Sequence, residues 1–179
     1  MTSPAEVVAF WRAAGPKQWF AKDDGFDADI KARFLTTYES AAAGELAAWE
    51  TTAEGALALV LVLDQFPRNM FRNDARAFAA DAIARAVADR AIAQKFDISV
   101  PAAERVFFYL PFEHSEALAD QDRCIALVCA IGNADLLRWA ELHADIIRRF
   151  GRFPHRNAVL GRITTPAERA YLDDDGFAG

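Results

Sequence analysis

The segment Ala56-Leu57-Ala58-Leu59-Val60-Leu61-Val62-Leu63 is apolar at every position, and it decides the fold class. A helix that is apolar on all sides is enclosed by other helices, whereas a surface helix keeps a polar face. By periodicity alone the run could be a buried strand, but the sequence has no alternating partner strands or hairpin turns for it to join. It therefore predicts a central buried helix that starts near Thr51-Thr52-Ala53-Glu54 and ends or kinks at Pro67.

Helical signals continue on both sides of this run. Ala and Leu dominate, and apolar positions recur at spacings of three and four residues. Ser3-Pro4-Ala5-Glu6 and Thr165-Pro166-Ala167-Glu168 each have the pattern of a capping box with proline in the first turn. Further helices are predicted at residues 24–43, 75–94, 102–110, 114–131 and 134–150. The sequence thus predicts an all-α fold whose helices pack as antiparallel pairs or as a solenoid.

Length and composition limit the classes of protein that the chain can belong to. At 179 residues with 53% hydrophobic side chains, it is expected to form a single domain over residues 1–179. A net charge of -6 argues against a broad nucleic-acid-binding surface. The N-terminus lacks a secretory signal and the longest apolar run is too short to span a membrane, so we expect a cytoplasmic protein. Cys124 and Cys129 are expected to be unpaired, buried apolar side chains.

Polar and ionisable side chains concentrate in three segments, at residues 63–72, 109–116 and 148–162. The third segment holds five arginines and His155 but no acidic residue. Such an excess of arginine must face water, meet carboxylates from elsewhere, or bind an anion such as phosphate or a carboxylate. Ion pairs with Asp64, Glu113 and Glu116 and an open anion site therefore both remain possible. The predicted ligand-binding residues are Asp64, Gln65, Arg68, Asn69, Arg72, His114, Glu116, Arg149, Arg152, His155, Arg156, Asn157 and Arg162.

Catalytic and metal-binding motifs are sparse. His114 and His155 are candidates for a general base, although His114 and Glu116 do not face each other on a helix. The sequence has no His-Glu-x-x-His motif, no close cysteine pair, no calcium loop, no nucleophile elbow and no glycine-rich phosphate loop. We therefore expect no metal and no cofactor. The four tryptophans are interpreted as core or groove residues.

The three polar segments together resemble a bacterial family known only as domain of unknown function nine hundred and twenty-four. The resemblance covers nearly the whole chain and rests on Leu63-Asp64-Gln65-Phe66-Pro67-Arg68-Asn69, Tyr109-Leu110-Pro111-Phe112-Glu113-His114-Ser115-Glu116, and Arg149-Phe150-Gly151-Arg152-Phe153-Pro154-His155-Arg156-Asn157 followed by Leu160-Gly161-Arg162. It implies a tetratricopeptide-like fold, in which antiparallel helix pairs form a right-handed superhelix. It implies no established activity, cofactor or catalytic residue.

Three functional hypotheses follow. The first is a domain that binds a small molecule or anion, in which the arginines supply positive charge and the other polar residues position the ligand. The second is a scaffold that binds a protein or peptide in a groove between tetratricopeptide-like helices. The third is an enzyme that uses His114 or His155 as general base on an anionic substrate.

Overall fold

The structure, a computed structural model, describes residues 2–174 and 176, and this part of the chain is helical without a strand, as the sequence predicts. Its α-helices are α1 (Pro4–Ala14), α2 (Pro16–Trp19), α3 (Asp24–Ala42), α4 (Ala53–Val60), α5 (Phe66–Met70), α6 (Asp81–Ala93), α7 (Leu110–Glu113), α8 (Leu118–Cys129), α9 (Ala134–Phe150) and α10 (Pro166–Asp173). No helix among the described residues is long and apolar enough to cross a membrane.

The described residues form two compact units. The first unit contains the residues up to Arg72 together with Arg76–Pro111, and the second contains Asn73–Ala75 and the residues from Phe112 onward. The single domain and the right-handed superhelix stay predictions.

Both capping boxes form as predicted. At the start of α1, the Ser3 hydroxyl accepts a hydrogen bond from the backbone of Glu6 at 3.3 Å, and the Glu6 carboxylate accepts one from the backbone of Ser3 at 2.7 Å. At the start of α10, Thr165 and Glu168 make the same pair of contacts at 3.2 and 2.7 Å. In each case the side chains satisfy amides that have no partner within the helix.

The central helical run is buried as predicted, but it does not end at Pro67. Every residue of Ala56–Leu63 is buried in the first unit. The chain passes from α4 through a π-helical turn at Leu61–Gln65 directly into α5, and the amide of Phe66 donates to the Leu61 carbonyl. Pro67 lies in the first turn of α5, where a missing N–H costs nothing, so the helical path continues to Met70.

Several other predicted helix boundaries were also wrong. Residues 75–94 divide into a 3₁₀ turn at Ala75–Phe78 and α6, and residues 102–110 contain the 3₁₀ turn Arg105–Phe108 and the first residue of α7. Pro111 lies inside α7 rather than stopping a helix. α8 begins four residues later than predicted, at Leu118. Its start is delayed because the Ser115 hydroxyl accepts from the Ala117 amide at 3.2 Å and so competes with helical hydrogen bonding.

Aromatic side chains fill the core of the first unit. α1 packs against α4, and α3 packs against α5. Trp11, Phe66 and Phe107 are buried, and the rings of Trp11 and Phe107 meet edge to face with centroids 5.5 Å apart. Such pairs add to the stabilisation that burial of their area provides.

The second unit is organised around the packed pair α8 and α9. Asn133 caps α9 by accepting from the amides of Asp135 and Leu136 at 3.0 and 3.2 Å. Gly151 ends α9 with a φ of 70°, a left-handed conformation that suits glycine. Cys124 is buried as expected, but the expectation for Cys129 was wrong, because the last residue of α8 is exposed.

Candidate functional site

The first polar segment lies in the first unit, where its arginines are paired with carboxylates. Arg68 lies 3.2 Å from a carboxylate oxygen of Asp64 and 3.1 Å from one of Asp81. Asp64 is fully buried, and its carboxylate also accepts a hydrogen bond from the side-chain amide of Gln65 at 2.7 Å. The sequence placed Asp64 among ligand-binding residues, whereas here it lies in the core beside Arg68.

Asn69 and Arg72 share a different carboxylate of the first unit. The side-chain amide of Asn69 donates to the Asp27 carboxylate at 2.7 Å. Arg72 binds both oxygens of the same carboxylate, one of them with Nη2 at 3.0 Å. Asp27 lies on α3, so these contacts join α3 to the end of α5. Sequence reasoning did not identify Asp27, because it lies outside the three polar segments.

The second and third polar segments meet in the second unit. The Glu116 carboxylate accepts from Arg162 at 2.7 and 3.0 Å and from the Phe153 amide at 2.8 Å. Arg156 donates to the backbone carbonyl of His114 at 3.1 Å and stacks on the ring of Phe153. Burial opposes ionisation of Glu116, but the hydrogen bonds from Arg162 and Phe153 keep its pKa below the usual range.

A second pair of this kind fixes the start of α10. Arg152 donates to both oxygens of Glu168, at 2.6 and 2.9 Å, and to the Ile163 carbonyl at 2.8 Å. The hydrogen bonds from Arg152, together with those from Thr165, hold the pKa of Glu168 well below its usual range, although burial acts against them. Asn157, which is fully buried, donates to Thr164 at 3.5 Å in the same turn.

His155 lies in this polar region but is unsuited to act as a base at neutral pH. Burial and the neighbouring charge of Arg156 lower its pKa to about 3. A general base works best when its pKa is near the operating pH, so His155 is a weak proton acceptor for the predicted enzyme.

A buried polar cluster that the sequence did not identify as a unit lies on α7, α8 and α9. Nδ1 of His143 is 2.8 Å from the Trp139 carbonyl and 3.5 Å from the Glu113 carboxylate. The Cys124 thiol lies 3.9 Å from the same carboxylate, and burial raises its pKa well above the usual range. A protonated, enclosed thiol is a poor nucleophile, so the cluster is interpreted as a polar part of the core. Among the described residues, no group of three or more His, Cys, Asp or Glu side chains is arranged to hold a metal ion.

An open cleft of about 610 Å³ lies in the second unit between α9 and α10. Trp139, Leu142 and Arg149 line it from α9. α10 contributes Ala167, Ala170 and Tyr171 at helical spacing, and beyond the helix Asp174 and Gly176 complete the lining. Of the residues predicted to bind a ligand, Arg149 lines this cleft.

The guanidinium of Arg149 rests on two rings. Its centre is 5.0 Å from the centroid of Phe150 and 5.1 Å from that of Tyr171. Its ion pair with Asp145 is 3.8 Å long, and both of these side chains are about half exposed. A pair of this length and exposure contributes little, so the charge of Arg149 is available to a ligand in the cleft.

The comparisons with known proteins agree with the resemblance in the polar segments. A family model described as "Bacterial protein of unknown function (DUF924)" matches residues 7–176. The chain belongs to this family. A solved structure of a protein of unknown function, ATU0120 from Agrobacterium tumefaciens, is 49% identical and superposes with a TM-score of 0.93 over 96% of this chain and 97% of that one. A comparison with curated proteins finds no match.

Membership of DUF924 confirms the family and the all-α fold, but it assigns no activity to the polar segments. In this DUF924 chain the second and third segments are joined through Glu116, while the first segment has its own carboxylate partners in the first unit. The cleft residues Trp139 and Tyr171 were missed as site residues. Their signal in the sequence was the recurrence of ring and apolar side chains at helical spacing before Arg149 and after Thr165.

Proposed function

We propose that this protein binds a small molecule with a negative group on an apolar body, and that the ligand lies in the cleft between α9 and α10. The observation that carries the proposal is the position of Arg149 in a cleft that also contains Trp139 and Tyr171. A volume of about 610 Å³ is in the range of small-molecule sites, which combine apolar walls with a few polar groups.

Arg149 suits this role better than the other predicted arginines of the second unit. Arg152 and Arg162 each direct two nitrogens to a carboxylate of the protein, so an anionic ligand would have to displace Glu168 or Glu116. Arg149 is instead held by its aromatic neighbours and keeps a planar fork for the two oxygens of a ligand carboxylate. For Arg68, Arg152 and Arg162 we propose a structural role.

Titration with 3-phenylpropionate, monitored by ¹H–¹⁵N NMR, tests the proposal. A ligand of this size is expected to bind with a dissociation constant on the order of 1 mM. The indole signal of Trp139, assigned with a Trp139→Phe variant, and the amides around Tyr171 should shift. Arg149→Met should weaken binding about tenfold or more, because it removes a charge-assisted hydrogen-bonding group.

Arg148→Met is the matched control for this experiment. Arg148 is the preceding residue of the same helix, is about half exposed, and pairs with Asp122 at 3.0 Å without lining the cleft. Its substitution should leave binding of 3-phenylpropionate unchanged. Absence of shifts in the cleft, or equal weakening by both substitutions, would contradict the proposed site.

The second candidate is a peptide-binding scaffold, and the exposure of Trp139 favours it. Trp139 is 43% exposed in an open cleft, as expected of a residue that contacts a peptide side chain. The predicted tetratricopeptide-like superhelix belongs to this second proposal. An acetylated tetrapeptide that ends in phenylalanine should bind much more tightly than 3-phenylpropionate if the cleft takes peptides.

A further inference from the structure

We infer that the ligand of this cleft carries a positive group beside its negative one, and that it is an α-amino acid with an aromatic side chain. The inference rests on the proposed function and specifies its ligand class. It comes from the second charge in the cleft, the carboxylate of Asp174, and from the order in which the charged and aromatic residues follow one another along the two helices.

The order is fixed by contacts between α9 and α10. Arg152, just after α9, holds Glu168 at 2.6 Å, and the ring of Phe150 lies 5.1 Å from that of Tyr171. Later residues of α10 therefore lie beside earlier residues of α9, so the two helices run antiparallel in this region. Arg149, whose guanidinium covers the Tyr171 ring, lies at the level of Tyr171.

Asp174 follows Tyr171 by three residues, which corresponds to about 4.5 Å along a helix axis. The cleft is therefore lined by a positive charge at the level of Tyr171 and by an acidic residue whose backbone lies about one turn further on. The C-terminal end of α10 adds to the negative side, because a helix macrodipole favours cations at this end. Nothing in a simple carboxylate ligand would use this side of the cleft.

A cation and an anion that line one cleft can together bind the head of an α-amino acid. Its carboxylate and ammonium are attached to one carbon, and each needs a hydrogen bond of about 2.8 Å to its partner. Arg149 and Asp174 are the charged residues of the cleft that would make these two contacts.

The third substituent of that carbon would then meet the apolar part of the cleft. Leu142 and Trp139 lie about two and three turns before Arg149 on α9. Because the helices are antiparallel, these side chains lie on the same side of Arg149 as Asp174. An aromatic side chain extending past Asp174 reaches Leu142 and the partly exposed Trp139, and rings gain specific contacts with one another there.

The test compares L-phenylalanine and 3-phenylpropionate in the same NMR titration with the full chain. L-phenylalanine differs from 3-phenylpropionate only by the α-ammonium group. It should bind about fivefold more tightly, which is the upper range for one exposed ion pair. In Asp174→Asn this advantage should disappear, so that the dissociation constants of the two compounds become about equal.

Asp173→Asn is the matched control, because Asp173 is exposed, adjacent in sequence and outside the cleft lining. It should keep the preference for L-phenylalanine. If 3-phenylpropionate binds at Trp139 and L-phenylalanine binds no better, the ligand class is overturned and the proposed function stands. If neither compound shifts the cleft signals, the proposed function fails and the ligand class with it. Binding of the acetylated peptide without binding of the free amino acid would also overturn the inference, since a peptide would then be the occupant.

Discussion

Arg149 and Arg152 are three residues apart in one basic run, yet they lie in regions of opposite character. Arg149, in the last turn of α9, rests on aromatic rings at the edge of an open cleft. Arg152 follows the left-handed Gly151 and is directed to the buried carboxylate of Glu168. The difference shows that a basic run is not one site: the end of α9 separates an arginine available to a ligand from one that stabilises the fold.

The largest expected effect is on the stability of the Arg152→Met variant. Glu168 would keep its buried position and lose both guanidinium hydrogen bonds, and a buried charge without its partner is strongly unfavourable. Thermal unfolding should shift down by roughly 5 °C or more relative to the wild type. Arg148→Met, which removes an exposed ion pair, serves as the control. Equal unfolding midpoints for the two variants would mean that Arg152 stabilises the fold no more than an exposed arginine does.

His155 should make the second largest contribution, through the dependence of stability on pH. Its folded-state pKa is lowered to about 3 by burial and by Arg156, while an unfolded histidine has a pKa of about 6.5. As the pH falls, the unfolded state binds a proton at this residue before the folded state does. The contribution of His155 to the free energy of unfolding is therefore fully present above pH 6.5 and declines as the pH decreases toward 3, by at most about 1.4 kcal/mol per pH unit.

Urea unfolding between pH 7 and pH 5 measures this contribution. The substitution His155→Gln should flatten the decline in the free energy of unfolding over that interval. An NMR titration in which the His155 ring becomes protonated near pH 6.5 would show that burial and Arg156 do not lower the pKa of His155.

The sequence predicted those features that depend on neighbours along the chain. The burial of Ala56–Leu63 and the two capping boxes follow from patterns within eight residues, and all three are confirmed. Pro111 does not stop a helix and Pro67 does not end one, because proline blocks only the interior of a helix, and whether a helix starts just before it depends on tertiary packing.

The site was predicted less well, because its contacts join segments distant in sequence. The basic run required carboxylates or an anion, and the sequence could not decide between them without knowing that Glu168 reaches Arg152. In the same way it did not show that Asp27 binds Arg72 of the first polar segment. Neither acid lies in the three polar segments. The cleft depends on α10 packing beside α9, whereas Trp139 and Arg149 are ten residues apart and show no motif by themselves.

A smaller acid effect is expected from the two arginine-bound carboxylates. Hydrogen bonds from Arg152 lower the pKa of Glu168, and those from Arg162 lower that of Glu116 in spite of its burial. Groups with lowered pKa values stabilise the fold above the unfolded carboxyl pKa of about 4.3, and this contribution is lost as the pH falls below it. Urea midpoints measured from pH 5 to pH 2 should therefore decline less steeply in Arg152→Met than in the wild type. Parallel curves would mean that Arg152 does not hold Glu168 in its ionised form.

The smallest expected effect on stability is that of Arg149→Met. A small effect would confirm the contrast between Arg149 and Arg152. The side chain is about half exposed and its pair with Asp145 is long, so the free energy of unfolding should change by no more than about 0.5 kcal/mol. The methyl thioether can still cover the rings of Phe150 and Tyr171. A stable variant that no longer binds 3-phenylpropionate would separate ligand recognition from folding within a single basic run. A variant that loses as much stability as Arg152→Met would instead make Arg149 another structural arginine, and the cleft would have no cation dedicated to a ligand.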